Sequence, residues 1–184
     1  MVTGRPHASS REAISEAASE LFLERGFEHV SVGDIAARAG VSRSSFFNYF
    51  SSKTDVIWAG FDAQIATLEV RLDAGDDVET ALLRMADGFR PDALTLACTN
   101  RAAMGLTEEL ERDTAIRIRR IARAVATRLG AAGWSALEAD VRGCALAGAV
   151  LAGVDEWVRR GVGTTAFADV LRDALSAVRG GGAA

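Results

Sequence analysis

The chain is poor in the residues that most often build a chemical site. Its 184 residues include two cysteines, two histidines, one tyrosine and, among 21 basic residues, a single lysine, Lys53. Cys98 and Cys144 lie far apart within apolar helical patterns, which reads as small buried hydrophobes in a reducing cytoplasm. His7 and His29 both fall near the start, and no Cys/His cluster accompanies them, so no metal site is expected. The longest apolar run, Gly143 to Val154, is 12 residues and rich in Gly and Ala. A membrane span needs about 20, so this run reads as a buried helix. Residues 1–11 are polar and lack the apolar segment of a secretory leader. No nucleophile elbow, phosphate-binding glycine loop or isolated carboxylate pair occurs, so the expectation is no enzyme and no cofactor.

What remains is a globular composition, 49% hydrophobic with a net charge of −4. That suits one or two small domains with a real core. Overall charge gives no argument for a nucleic-acid partner. The first 55 residues carry Arg5, Arg11, Arg25, Arg38, Arg43 and Lys53 against Glu12, Glu16, Glu20, Glu24, Glu28, Asp34 and Asp55. Distribution is more informative than the sum. Glu12, Glu16, Glu20 and Glu24 recur every four residues, a solvated stripe on one helix face. Residues 36–54 hold Arg38, Arg43 and Lys53 and no acid.

That acid-free stretch lies within SVGDIAARAGVSRSSFFNYFSSK, residues 31–53. Ser31 reads as an N-cap completed by Asp34 as a capping box. Ile35, Ala36 and Ala39 then share one apolar face. Gly40 can end the helix at positive φ. Ser42 caps a second helix, Arg43 to Tyr49, and another begins at Lys53 under Ser52 and Asp55. Helix, glycine turn and capped helix is the helix-turn-helix pattern, whose second helix enters the major groove of DNA. The residues it would expose, Arg43, Ser44, Ser45 and Asn48, form hydrogen bonds; Val41, Phe46 and Phe50 would be buried. Lys53 at a helix N-terminus reads either as an ordinary exposed lysine or as a phosphate contact.

With Ile14, Ala17, Ala18, Leu21, Phe22, Gly26 and Phe27 ahead of it, this stretch resembles the N-terminal domain of TetR-type transcriptional regulators over roughly residues 10–57. The resemblance implies an all-α homodimer. Its N-terminal three-helix domain binds DNA, and its C-terminal helical domain binds a small molecule and dimerises. It also implies backbone contacts from Asn48 and Tyr49. Phe47 stands where the family usually has a phosphate-bonding tyrosine, so that contact is expected to be lost. The candidate DNA-binding set is Ser31, Arg43, Ser44, Ser45, Asn48, Tyr49 and Lys53.

Helical periodicity continues throughout, and about nine helices are expected. Residues 1–9 form an arm in which Arg5 could reach a minor groove, and the first helix ends at Gly26. The fourth runs from Lys53 to about Ala74 with Trp58, Phe61, Ile65, Leu68 and Leu72 on one stripe. The fifth is boxed by Asp76 and Glu79; Pro91 opens the sixth, running to about Met104. The seventh follows Thr107 and closes at Gly130, the eighth covers Ala136 to Arg160, and the ninth covers Thr165 to Arg179. The eighth has an apolar stripe of Leu146, Val150, Val154 and Trp157 and a small-residue face of Ala145, Ala149 and Ala152. Apolar on two faces, it needs cover on both, from its own domain or from a second subunit. The expected dimer interface pairs the last two helices through Ala145, Ala149, Ala152, Phe167, Leu171 and Leu175. Dimerisation would place two reading helices about 34–36 Å apart.

The expected boundaries are a flexible arm at 1–9, the DNA-binding domain at 10–55, the effector and dimerisation domain at 56–179 and a disordered tail at 180–184. Trp58, Met85, Phe89, Cys98, Arg101, Met104, Arg117 and Ile121 are the candidate pocket residues, suiting a hydrophobic or amphipathic effector. The function so read is a cytoplasmic regulator, by family default a repressor, that binds a palindromic operator in double-stranded DNA as a homodimer. A small molecule releases it, and no membrane is involved. A constitutive DNA binder and a helical interaction module with a degenerate DNA domain remain open alternatives.

Overall fold

The computed structural model describes residues 10–180. The expected arm with Arg5, and the expected tail apart from Gly180, lie outside that range. The described residues are all-helical: α1 (Ser10–Arg25), a 3-10 turn (Phe27–His29), α2 (Val32–Arg38), α3 (Arg43–Phe47), α4 (Lys53–Asp73), α5 (Val78–Gly88), α6 (Ala93–Thr99), α7 (Thr107–Ala131), α8 (Ala136–Arg160) and α9 (Phe167–Gly180). These divide into two compact units, residues 10–59 with 92–107, and residues 60–91 with 108–180. The division differs from a boundary at residue 55. The start of α4 clusters with the N-terminal helices, and so does the whole α6 segment. Local chemistry explains the second point: α6 packs on α1, and the Phe27 amide donates to the Met104 carbonyl at 2.7 Å.

In the first unit, Ile14, Ala18, Leu21 and Phe22 of α1 are buried with Ile35 of α2 and Phe46 of α3. Burying each large side chain stabilises by about 1.5–3 kcal/mol. Ser31 and Asp34 form the expected capping box on α2. Gly40 turns the chain at φ 69°, and the Ser42 hydroxyl accepts from the Ser45 amide at 3.0 Å. Phe46 and Phe50 are buried as expected, whereas Val41 is only partly covered. α3 ends at Phe47, short of Tyr49, because the Asn48 and Tyr49 amides turn back to the Ser45 and Phe46 carbonyls, tightening the last turn. Asp55 caps less symmetrically than expected: its amide donates to Ser52, but its carboxylate accepts from Ser51.

In the second unit, Phe61, Phe89, Trp157 and Phe167 meet in an aromatic cluster with ring centroids 5.4–5.8 Å apart. α7 is clasped by charge. Arg117 donates to both carboxylate oxygens of Asp62 at 3.1 and 2.7 Å, and Arg120 does the same to Glu69 at 2.7 Å each. These N–H donors hold the Glu69 carboxyl below the ordinary glutamate range. α8 comes close to α7 at Gly143, where an added Cβ would lie 2.5 Å from the Ala122 carbonyl oxygen.

Several boundaries shift for physical reasons. Asp77, not Asp76, caps α5 by accepting from the Thr80 amide, because the Arg71 guanidinium holds Asp76 at 3.1 Å. Asp92 rather than Pro91 opens α6, with Thr95 completing its capping box. α6 stops at Thr99 and turns through Gly105 at φ 66° instead of reaching Met104. α7 runs one residue past Gly130, and the turn falls at Gly133. α9 starts at Phe167, two residues late, the Thr165 carbonyl being taken by the Trp157 indole N–H at 2.7 Å. The stripe of Leu146, Val150, Val154 and Trp157 is buried on α8, which spans the expected residues. Cys98 is half-buried, and Cys144 is exposed rather than buried. Among the described residues no cluster of His, Cys, Asp and Glu could hold a metal ion, and no helix is long and apolar enough to cross a membrane.

Candidate nucleic-acid interface

The surface of interest is the outer side of α3. One helical turn sets its two faces: Phe46 and Phe50 go inward, at 0% and 3% exposure, while Arg43, Ser44, Phe47 and Asn48 go outward. Tyr49 is also exposed. The serines are pre-ordered. The Ser42 hydroxyl lies 2.8 Å from those of both Ser44 and Ser45, so the first turn of α3 presents a linked hydroxyl group. Ser31 is exposed, but its hydroxyl donates to Asp34 at 2.5 Å and accepts the Asp34 amide at 3.2 Å. That hydrogen bonding keeps the Asp34 carboxyl below its ordinary range.

The structure redistributes the charges counted in the sequence. The acidic stripe of α1 is exposed, but its last two members are held by α2. Arg38 donates to Glu20 at 3.1 Å and to Glu24 at 3.0 and 2.7 Å. The Arg38 donors hold Glu24 below the ordinary glutamate range. Arg38 is therefore committed to Glu20 and Glu24 and offsets only part of the charge of the stripe. Lys53 is also engaged. Its ammonium donates to the Phe27 carbonyl at 2.6 Å and to the Val30 carbonyl at 3.2 Å, and stands 3.9 Å above the Phe27 ring. Two of its three N–H groups thus fasten the 3-10 turn. Arg43 remains outward on α3. Arg11 comes from α1 to the same corner, its guanidinium 5.1 Å over the Phe50 ring.

Arg11 and Phe47 are outside the set read from the sequence. Phe47 has a visible signal, since it lies four residues after Arg43 and three after Ser44, hence on their face. Arg11 has none, because its approach to Phe50 depends on how α1 packs.

The candidate pocket residues divide between the two units. Trp58, Cys98, Arg101 and Met104 belong to the first, Met85, Phe89, Arg117 and Ile121 to the second. Trp58 and Met104 are core residues of one unit, Met85 and Ile121 of the other. Arg101 donates to the Cys98 carbonyl at 3.2 Å. Arg117 is bound to Asp62. Phe89 lines an open cleft of about 490 Å³ together with Arg90, Trp157, Val162, Thr165 and Phe167. A second cleft, about 290 Å³, lies among Arg128, Trp134, Arg142, Leu146 and Arg179.

The residues expected at a dimer interface also separate into two groups. Phe167, Leu171, Leu175 and Ala149 are buried within their own unit, whereas Ala145 and Ala152 are exposed on α8. Leu137 and Val141 extend that outer face, at 75% and 62% exposure. At Gly148, between them and Ala152, an added Cβ would meet nothing within 4 Å.

Against known proteins, residues 14–59 match bacterial regulatory proteins of the tetR family. The transcriptional regulator MftR of Mycobacterium tuberculosis is 41% identical over 70 residues, 38% of this chain and 35% of that protein. The HTH-type transcriptional regulator TcmR of Streptomyces glaucescens is 40% identical over 85 residues, 44% of this chain and 36% of that one. The chain spans little more than a third of the length of these curated relatives. Among solved structures, NalD, the secondary repressor of a Pseudomonas aeruginosa multidrug efflux pump, matches with a TM-score of 0.59 at 21% identity. That likeness covers 94% of this chain and 95% of the other. The dihydroxyacetone kinase operon activator DhaS matches with a TM-score of 0.56 at 16% identity, with the same coverage. At these identities the likeness is one of fold. The all-helical architecture and the TetR-type resemblance read from the sequence both hold.

Proposed function

The chain carries, over residues 14–59, the N-terminal domain of the TetR family of bacterial regulatory proteins, and on that premise we propose that it is a cytoplasmic DNA-binding transcriptional repressor. The observation that carries the reading is α3 itself. It is anchored by Phe46 and Phe50 and outwardly polar at Arg43, Ser44 and Asn48, within a stretch free of acids. In that role Arg43, Ser44 and Asn48 read base edges. Arg11, Tyr49 and the remaining N–H of Lys53 meet phosphates. Ser31, which caps α2, and Ser45, bonded to the Ser42 cap of α3, hold the turn in register.

Two copies bind one inverted repeat. The interface uses the outer face of α8, from Leu137 and Val141 through Ala145 and Gly148 to Ala152, where small residues allow close backbone approach. Phe167, Leu171 and Leu175 support it from within. A hydrophobic or amphipathic effector fits the aromatic cleft of Phe89, Trp157 and Phe167, with Arg90 available to an acidic group. Its binding lowers the affinity for DNA.

Selection from a random duplex pool tests the reading. The expected product is an inverted repeat with half-sites about 10–10.5 base pairs apart or a multiple of that. Enrichment of no sequence, with binding too weak to depend on salt, would overturn it.

A further inference from the structure

We propose that Phe47 reads sequence, by packing its ring against the C5 methyl of a thymine in the major groove. The proposal rests on the DNA-binding reading above and adds to it a residue and a base.

Three phenylalanines stand within five positions of the reading helix and its end, and they are treated differently. Phe46 and Phe50 are at 0% and 3% exposure; Phe47 is at 50%. Its ring is also braced. It meets the Phe46 ring edge-on, with centroids 5.4 Å apart and planes at 83°. Because Phe46 is fixed in the core, this contact favours the displayed orientation of the Phe47 ring. Arg43 and Ser44 flank it on the same face, so an apolar ring is set among groups suited to base edges.

A phenyl ring has no hydrogen bond to give a phosphate. Stacking on a base would require an unstacked strand, which a helix lying in an intact duplex does not provide. The apolar feature that base edges offer in the major groove is the thymine methyl. Arg43, beside Phe47 in a stretch without acids, draws this face to the duplex as a whole, and the ring then meets the base edges.

The test uses the duplex that the protein selects, with each thymine replaced in turn by deoxyuridine, which lacks only the methyl. Binding is measured by fluorescence anisotropy. At one thymine per half-site the wild type should lose about four-fold per methyl, the weight of one buried methylene. Phe47→Ala should bind the unmodified duplex more weakly and show no sensitivity at that thymine. Phe47→Leu should keep part of it. The salt slope of both variants should stay that of the wild type, since no charge is removed. A selected site without thymine within reach of α3, a wild type indifferent to every deoxyuridine, or variants as sensitive as the wild type would each overturn the proposal. If the wild type selects no duplex, the DNA-binding reading itself fails, an outcome distinct from binding without methyl sensitivity.

Discussion

Gly143 offers a direct measure of how tightly the second unit is built. Gly143→Ala places a methyl 2.5 Å from the Ala122 carbonyl oxygen, a backbone atom of α7 that no side-chain rotation can move away. The helices must separate, and overpacking of this kind costs about 1–3 kcal/mol. Helix propensity works the other way, since alanine is better than glycine inside a helix by about 1 kcal/mol. Gly153→Ala, in the same helix, isolates the steric part. Its added methyl would meet Phe167 at 3.5 Å and Leu171 at 3.8 Å, ordinary contacts. Both variants gain the same propensity, so their difference reports the clash at Gly143 together with the contact that the Gly153→Ala methyl gains. Gly143→Ala should be less stable than Gly153→Ala by about 1–3 kcal/mol, read from urea midpoints at one protein concentration with an unchanged denaturant slope. Equal midpoints would show that α8 does not approach α7 as described.

Two further tests concern charge. Burial pushes the Asp92 carboxyl up to about 6, against the opposing backbone N–H bonds of Thr95 and Leu94. An acid that holds its proton more tightly when folded makes stability fall as pH rises from about 4 to about 6. Asp92→Asn keeps a capping oxygen and removes that fall. Relative to the wild type, the variant should gain up to about 3 kcal/mol between pH 4 and pH 7.5, and a difference flat in pH refutes this. Lys53→Met removes two charge-assisted bonds to the Phe27 and Val30 carbonyls. It should destabilise by about 1–3 kcal/mol in urea titrations and lower the salt slope of DNA binding by about one. An unchanged slope would confine Lys53 to holding the turn.

How far the sequence can be read depends on how local the determining contact is. The Ser31–Asp34 box, the Ser42 cap and the Gly40 turn are settled within four residues, and all stand as expected. The choice between Asp76 and Asp77 as a cap is not visible in the pattern, because it depends on which carboxylate Arg71 captures. Residues 92–107 cluster with the first unit through α1 and through a bond from Phe27 to Met104, contacts far apart in the chain. Periodicity places such a segment on a helix but cannot say which core receives it. Arg117 shows the same limit within one helix. It is 8% exposed, whereas its apolar neighbour Ile116 is 59% exposed, because Asp62 supplies a partner that hydrophobicity does not anticipate. At the candidate interface, Arg43, Ser44 and Asn48 were legible from the helical face alone. The engagement of Lys53 and Arg38 depends on packing against α1 and the 3-10 turn.

Dimethyl sulfate protection of the selected duplex tests the central claim most directly, since it methylates guanine N7, an atom of the major groove. With α3 of two copies inserted, protected guanines should form two patches on one face of the duplex, about 34–36 Å apart, and Arg43→Ala should restore their reactivity. Unprotected guanine N7 atoms in a complex that still forms would contradict it.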